Sequence, residues 1–201
     1  MKKLTALLLS FIVLLSFVSC GKEEAPEETT TTLLSTTEDL TVRVTFPEGY
    51  TAKQIAERLE ENKVCSAASF MALVSGQYYA ALPYGFIPGI ENTENKAFAL
   101  EGYIFPDTYD FYKGESAESA LARFLRNTDV KLKQEYRLRA DELGFTMDEI
   151  ITLASIIQEE AGDPAEMPLV SSVLHNRIKS PDYGKLQCDV TINYVNDCIV
   201  S

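Results

Sequence analysis

Between Phe145 and Gly162 the chain has little conformational freedom: its residues specify a helix with one wet and one dry side. Thr146 is an N-cap residue, and Glu149, three positions on, completes a capping box. Asp148 and Glu149 put negative charge at the positive end of the helix dipole. Ile150, Leu153, Ala154, Ile157 and Ala161 then recur at helical spacing and define an apolar face, and Gly162 suits the stop. At roughly 100° per residue, Glu159 points away from that face, whereas Glu160 falls on its border beside Leu153, Ile156 and Ile157. The two adjacent glutamates are therefore expected to differ, Glu159 solvated and Glu160 half-buried. A carboxyl set among apolar side chains has its ionised form disfavoured, which is what a general acid working near neutral pH requires. Periodicity alone describes an ordinary helix-edge glutamate equally well.

Three further stretches belong with this helix. Downstream, Asp163-Pro164-Ala165-Glu166 reads as a second helix start, with cap, Pro at N1 and box acid. That helix continues through Met167-Pro168-Leu169-Val170 to Asn176-Arg177, with Val170, Val173, Leu174 and Ile178 as its expected buried face. Next comes Leu186-Gln187-Cys188-Asp189-Val190-Thr191-Ile192-Asn193-Tyr194, and upstream lies Leu100-Glu101-Gly102-Tyr103-Ile104-Phe105-Pro106-Asp107-Thr108-Tyr109. Taken in order, these pieces resemble the endolytic murein transglycosylases, the YceG-like family, over residues 40 to 194. The Leu-Glu-Gly-aromatic-x-Phe-Pro-Asp-Thr-Tyr signature is intact at 100 to 109. Ala-Ser-Ile-Ile-x-x-Glu is matched at 154 to 160, and Pro-x-Val-x-x-Val-x-x-Asn-Arg from Pro168 to Arg177. Any one motif is weak; four in order are specific.

The resemblance implies that Glu160 is the catalytic acid of a lytic transglycosylase acting on peptidoglycan glycan strands. Glu160 would protonate the glycosidic oxygen between N-acetylmuramic acid and N-acetylglucosamine, then accept the proton of the muramyl 6-hydroxyl as it closes to a 1,6-anhydro end. The sugar's own hydroxyl is then the nucleophile, so no second catalytic carboxylate is required, unlike in hydrolytic glycosidases. By motif position Glu101, Gln187, Asp189 and Thr191 are substrate-cleft candidates, with Asp189 orienting cleft groups or merely capping a loop. The resemblance also implies peptidoglycan synthases as partners. Three departures stand out: Gln158 replaces a residue often acidic in the family, Cys188 replaces a hydroxyl residue and Val190 a proline. Family members also run on past this point, whereas this chain stops at Ser201, so it is either a fragment or an incomplete catalytic domain. Two other readings stay open. One is a hydrolytic muramidase with Asp189 or Asp107 serving water; the other is a non-catalytic glycan-binding lipoprotein.

Residues 1–20 read as a lipoprotein-type signal peptide: Lys2 and Lys3, an apolar run from Leu4 to Leu15, then Phe17-Val18-Ser19-Cys20. The run is shorter than the ~20 residues of a membrane span. Cys20 is the expected lipidation site, which would anchor the protein to the extracytoplasmic face of the bacterial cell membrane. Residues 21–38 are a Glu- and Thr-rich linker too polar to bury a core. The formal net charge of −12 leaves no basic patch for nucleic acid, which is excluded as a partner.

The expected fold class is α+β, with a small LysM-like strand-helix-helix module at 39–98 followed by a helix-rich, incomplete catalytic domain at 99–201. Leu40 to Phe46 alternates as a strand, Thr51 caps a helix holding Ile55, Ala56 and Leu59, and Ser66 or Ser69 begins another with Phe70 and Val74. This module either contacts glycan or simply packs. Residues 76–99 read as a long loop whose tyrosines plug a core, and Thr108 to Tyr112 as a strand returning beside the first. Ser116 caps a helix expected to run to about Leu143, through Ala120, Leu121, Phe124, Leu125, Val130, Leu132, Leu138 and Leu143. His175 is the only histidine and no Cys/His spacing supports zinc, so neither metal nor cofactor is expected. A Cys188–Cys198 disulfide and free thiols are both open.

Overall fold

The computed structural model describes residues 40–91 and 93–200. The expected signal peptide, Cys20 and the linker lie outside the described residues. What is described is helix-rich with a small antiparallel sheet, as an α+β reading requires.

Strand β1 (Thr41–Thr45) alternates in burial, and β2 (Thr108–Tyr112) pairs with it antiparallel, with Val42 opposite Phe111 and Val44 opposite Tyr109. The inward side chains Val44, Tyr109 and Phe111 share one face, as the period of two demands. On the outer face Thr45 and Thr108 share a hydrogen bond, and Arg43 pairs with Asp110. Between the strands lie α1 (Ala52–Glu61) and α2 (Ala67–Ser75). Thr51 and Gln54 form a full capping box for α1, and Ser66, rather than Ser69, caps α2. Their apolar stripes, Ile55, Ala56 and Leu59 with Phe70 and Val74, are buried together.

The segment 76–99 carries three short 3-10 turns, at Tyr78–Ala81, Ile87–Gly89 and Thr93–Asn95. Two of its three tyrosines plug the core as expected, Tyr79 buried and Tyr84 partly buried, while Tyr78 is exposed; Phe86, also buried, stacks between Tyr84 and Tyr103. Phe124 of α3 (Ala117–Lys131) is the hub of the aromatic core, with Phe46, Phe70, Tyr109 and Phe111 all within ring-packing distance.

The long helix expected from Ser116 to Leu143 is two helices. Ser116 caps α3, as its sequence indicates, but α3 ends at Leu132 and α4 (Gln134–Leu143) follows. The buried face of α3 closes at Thr128, whose hydroxyl donates to the Tyr103 carbonyl at 2.6 Å and the Phe124 carbonyl at 3.0 Å. Past that point a straight helix would run off the core. Leu132 instead leaves helical geometry (φ −79°, ψ 73°) and packs back against the core. Val130, Leu138 and Leu143, three residues of the expected apolar stripe, are exposed.

Helix α5 (Met147–Glu160) begins with the Thr146–Glu149 capping box, both reciprocal bonds being present. It stops at Ala161 in extended geometry, without a left-handed glycine. Helix α6 (Met167–Lys179) is preceded by a 3-10 turn at Pro164–Glu166 that Asp163 caps through Ala165 N–H. Helix α7 (Asp189–Val195) runs into a π-helical turn, Asn196–Val200. A second, smaller apolar cluster joins these helices: Leu153, Leu174 and Cys188 are buried, with Ile156, Ile157, Val170, Leu186 and Val190 against them. Only part of the expected α6 face takes part, because Val173 and Ile178 are more than 40% exposed. Among the described residues no helix is long and apolar enough to cross a membrane.

Candidate active site

Helix α5 lies between the two clusters, and that position decides where its charged residues look. Its expected single apolar face is not what is buried: Ala154 is exposed, Ile151 packs on the larger cluster and Leu153 on the smaller. At the N-terminal end Asp148 is 4% exposed, ion-paired to Lys96 and accepting from the Tyr103 hydroxyl at 2.8 Å. Burial, then Asp148, push the Tyr103 hydroxyl far above its ordinary range. One turn on, Ile151 meets Gly102. That glycine has φ +83°, and a Cβ there would lie 2.8 Å from Ile151 Cγ2. Eleven residues at ~100° bring Glu159 to within about 20° of Asp148 around the helix. Its carboxylate accordingly lies against Gly49, in the turn between β1 and α1, where a side chain would collide with it. Glu159 is exposed, as expected, but it is not aimed away from the fold.

Glu160 belongs to the other side of α5, the side of Leu153, Ile156 and Ile157, as the spacing indicates. It is exposed rather than half-buried, since the smaller cluster ends beneath it. Its carboxylate acts on the thiol of Cys188, which donates to the Leu186 carbonyl at 3.7 Å. The buried Cys188 thiol is pushed above its ordinary value, by burial first and by the Glu160 carboxylate next, with Arg177 acting in the opposite sense. Three groups from three elements thus converge: an acid from α5, a thiol from the segment before α7 and a guanidinium from α6. The segment is held by Arg177, which donates to the Leu186 carbonyl at 2.6 Å and the Gln187 carbonyl at 3.4 Å.

The remaining sequence candidates are distributed around this centre. Gln187 is adjacent to Cys188, exposed, and in the left-handed region at φ +58°. Asp189 opens α7, exposed, beside the thiol whose titration it influences. Thr191 uses its hydroxyl locally, donating to the Cys188 carbonyl at 2.7 Å. Glu101 is committed to the fold: one oxygen accepts from Ala52 N–H at the start of α1 and the other from the Tyr194 hydroxyl, both at 2.9 Å. Burial raises its pKa, and those hydrogen bonds partly offset the rise. Glu101 therefore ties α1 to α7. The six-residue spacing from Cys188 to Tyr194 puts this tie roughly 9 Å along α7 from Cys188.

Asp107 is on the sheet side of the molecule's larger core. Its oxygens take Thr108 N–H and Asn127, with Lys131 near, and these, Thr108 first, hold it below the usual carboxylate range. His175 packs edge-on against Phe145. Among the described residues no group of three or more His, Cys, Asp or Glu is placed to hold a metal ion. Cys65, Cys188 and Cys198 are free thiols, so the Cys188–Cys198 bridge is not formed. Cys198 lies instead beside Thr51 and Glu101. Two contributors had no assigned role in the sequence reading. Arg177 stood in a recognised motif without a stated job, and Tyr194 carried no signal that it would reach Glu101.

This arrangement has relatives among known folds. A putative yceG-like protein of Listeria monocytogenes, known from a crystal structure, superposes with a TM-score of 0.67 at 27% identity, covering 78% of this chain and 52% of that one. The YceG-like family model matches residues 20–199, so the chain belongs to the YceG-like family. A protein of Streptococcus pneumoniae serotype 2 (strain D39), named endolytic murein transglycosylase, is 26% identical over 167 residues. The match covers 78% of this chain and 30% of that protein. A Bacillus subtilis (strain 168) protein of the same name is 27% identical over 157 residues, covering 76% of this chain and 43% of that protein. The chain thus spans less than half the length of these curated relatives.

Proposed function

We propose that this chain carries the acid of an endolytic lytic transglycosylase that cuts peptidoglycan glycan strands, and that Glu160 is that acid. The observation that carries the reading is the placement of Glu160. It ends a capped helix whose other charged residues are committed elsewhere, and it stands exposed above the Cys188–Arg177 pair within a chain of the YceG-like family. The names of the relatives support the substrate class.

Protonated Glu160 gives its proton to the oxygen linking N-acetylmuramic acid to N-acetylglucosamine. The C1–O bond breaks, and the muramyl O6 bonds to C1. The O6 proton passes to the Glu160 carboxylate, so the acid is regenerated and no water is consumed. A glycan lying over Glu160 supplies the desolvation that the bare surface lacks. Gln187 and Asp189 flank the acid as glycan-contacting residues, Thr191 shapes the start of α7, and Glu101 holds the frame. The segment 39–98, with β1, α1 and α2, is the LysM-like module of this reading, and it positions the strand. Cys20 carries a lipid that keeps the protein at the extracytoplasmic face of the membrane, close to the synthases that make nascent strands. For a hydrolytic muramidase Asp107 is a poor water-activating residue, being engaged by Thr108, Asn127 and Lys131, which leaves the exposed Asp189 as that reading's carboxylate.

The test is mass spectrometry of peptidoglycan strands incubated with the protein and with Glu160→Gln. Anhydro-muramyl ends that disappear in the variant are expected. Reducing ends would mean a hydrolase, and strand retention without cleavage would mean a glycan-binding protein.

A further inference from the structure

The segment that brings Cys188 to Glu160 is held in an unfavourable backbone conformation, and one side chain holds it. Gln187 and Lys63 are the non-glycine residues at positive φ among those described. A left-handed, non-glycine residue persists only where its surroundings over-determine it. For Lys63 backbone groups suffice: its N–H donates to the nearby Glu60 carbonyl and its own carbonyl accepts from the distant Gly114 N–H. Gln187 is exposed, and the partner of its carbonyl is Arg177, which also takes the preceding carbonyl of Leu186. The guanidinium is itself placed, with Tyr183 5.9 Å beneath it and the C-terminal turn of α6 favouring its charge. The result of the left-handed step is that Cys188 turns inward. It is 6% exposed between Leu153 and Leu174, although Gln187 and Asp189 on either side are exposed.

We propose that Arg177 is a positioning residue: by clamping the Leu186 and Gln187 carbonyls it seats Cys188 against the Glu160 carboxylate and so fixes the rotamer of the acid. This rests on Glu160 being the acid, as proposed above. Arg177 touches no reacting atom. Both bonds leave one nitrogen, Nη1, so an ammonium brought to the same point could make them; what lysine lacks is the planar guanidinium over Tyr183 that holds the nitrogen there.

The experiment compares wild type, Arg177→Ala, Arg177→Lys and Arg177→Ala/Gln187→Gly with two readouts. The first needs no turnover: the rate of iodoacetamide alkylation of Cys188 in the native protein, followed by peptide mass spectrometry, with Cys65 as the gauge of global folding. Loss of charge-assisted hydrogen bonds should speed Cys188 alkylation by about ten- to a hundredfold through local opening, with Cys65 unchanged. Glycine at 187 relieves the left-handed cost and should restore part of the protection. The second readout is the pH profile and the kcat–KM split of strand cleavage. Arg177→Ala should lower kcat with KM little changed and shift the limb of the profile that reports the acid, and Arg177→Lys should recover part of both effects.

Cys188 protection unchanged in Arg177→Ala overturns the clamp. Protection lost with kcat and pH profile unchanged overturns the link to Glu160. Equal acceleration at Cys65 means that Arg177 supports the whole fold, which also overturns the proposal. A wild type that cleaves no glycan overturns the assignment of Glu160, and it is told apart by the alkylation rates, which still decide the clamp.

Discussion

The Lys96→Met substitution asks whether α5 is anchored by a buried ion pair. Asp148, in the first turn of α5, is 4% exposed, and its Oδ1 takes both the Lys96 ammonium and the Tyr103 hydroxyl. Methionine keeps most of the lysine stem, so the change removes charge rather than opening a cavity. Removing one partner of a fully buried pair costs about 3–5 kcal/mol, because the other charge is left uncompensated. Two features reduce that figure here. The Lys96 side chain retains 20% exposure, so its charge is not fully desolvated, and Tyr103 goes on donating to Asp148 after the lysine is gone. The expected cost is about 2–3 kcal/mol, which for a domain of this size lowers Tm by roughly 4–12 °C. Asp148→Asn should cost less, about 1 kcal/mol, because Lys96 can then turn its ammonium to water. Thermal melts followed by circular dichroism on the two single variants and the double variant give the coupling energy. A Tm for Lys96→Met within about 2 °C of wild type, with additive effects in the cycle, would refute the reasoning.

Phe124→Ala removes the ring on which Phe46, Phe70, Tyr109 and Phe111 converge and should cost about 3–5 kcal/mol in urea unfolding; a loss below 1 kcal/mol would contradict the shared core. Gly102→Ala forces a left-handed backbone and a contact with Ile151, and should destabilise by about 2 kcal/mol while displacing α5; a neutral effect on urea unfolding would mean that α5 is not seated there. Glu101→Gln tests the raised pKa. The native state binds this proton more tightly than the unfolded chain, so wild-type stability is lost as pH rises from the ordinary 4.5 through the native value. Subtracting the Glu101→Gln stability curve should isolate that fall, with the variant at least as stable as wild type near neutrality; parallel curves across acid pH would sink the assignment.

Much of the molecule was legible in its one-dimensional pattern. The capping box at Thr146, the caps at Thr51 and Ser116 and the strands at 41–45 and 108–112 follow from interactions within a few residues or from strict alternation, whereas Ser66 and Ser69 were equal candidates for the second cap and Asp163 caps a 3-10 turn ahead of α6. Motif order also led to the family. Local physics could not say where a helix stops being supported. Residues 117–143 carry one continuous apolar rhythm, yet the core ends at Thr128, and Leu132 turns back to reach it. Nor could it say which way α5 faces, because both sides of that helix meet other parts of the chain. Asp148 finds Lys96 and Tyr103, Glu159 finds Gly49, and Glu160 finds Cys188 without the cover its border position implied. Glu101 looked like a cleft residue by motif and is instead a tie between Ala52 and Tyr194, 49 positions before it and 93 after. Helix ends and strand alternation are set by neighbours along the chain, and the sequence by itself determined them. The partners of a buried or clamped charge come from distant segments, and only the tertiary structure brings those segments together.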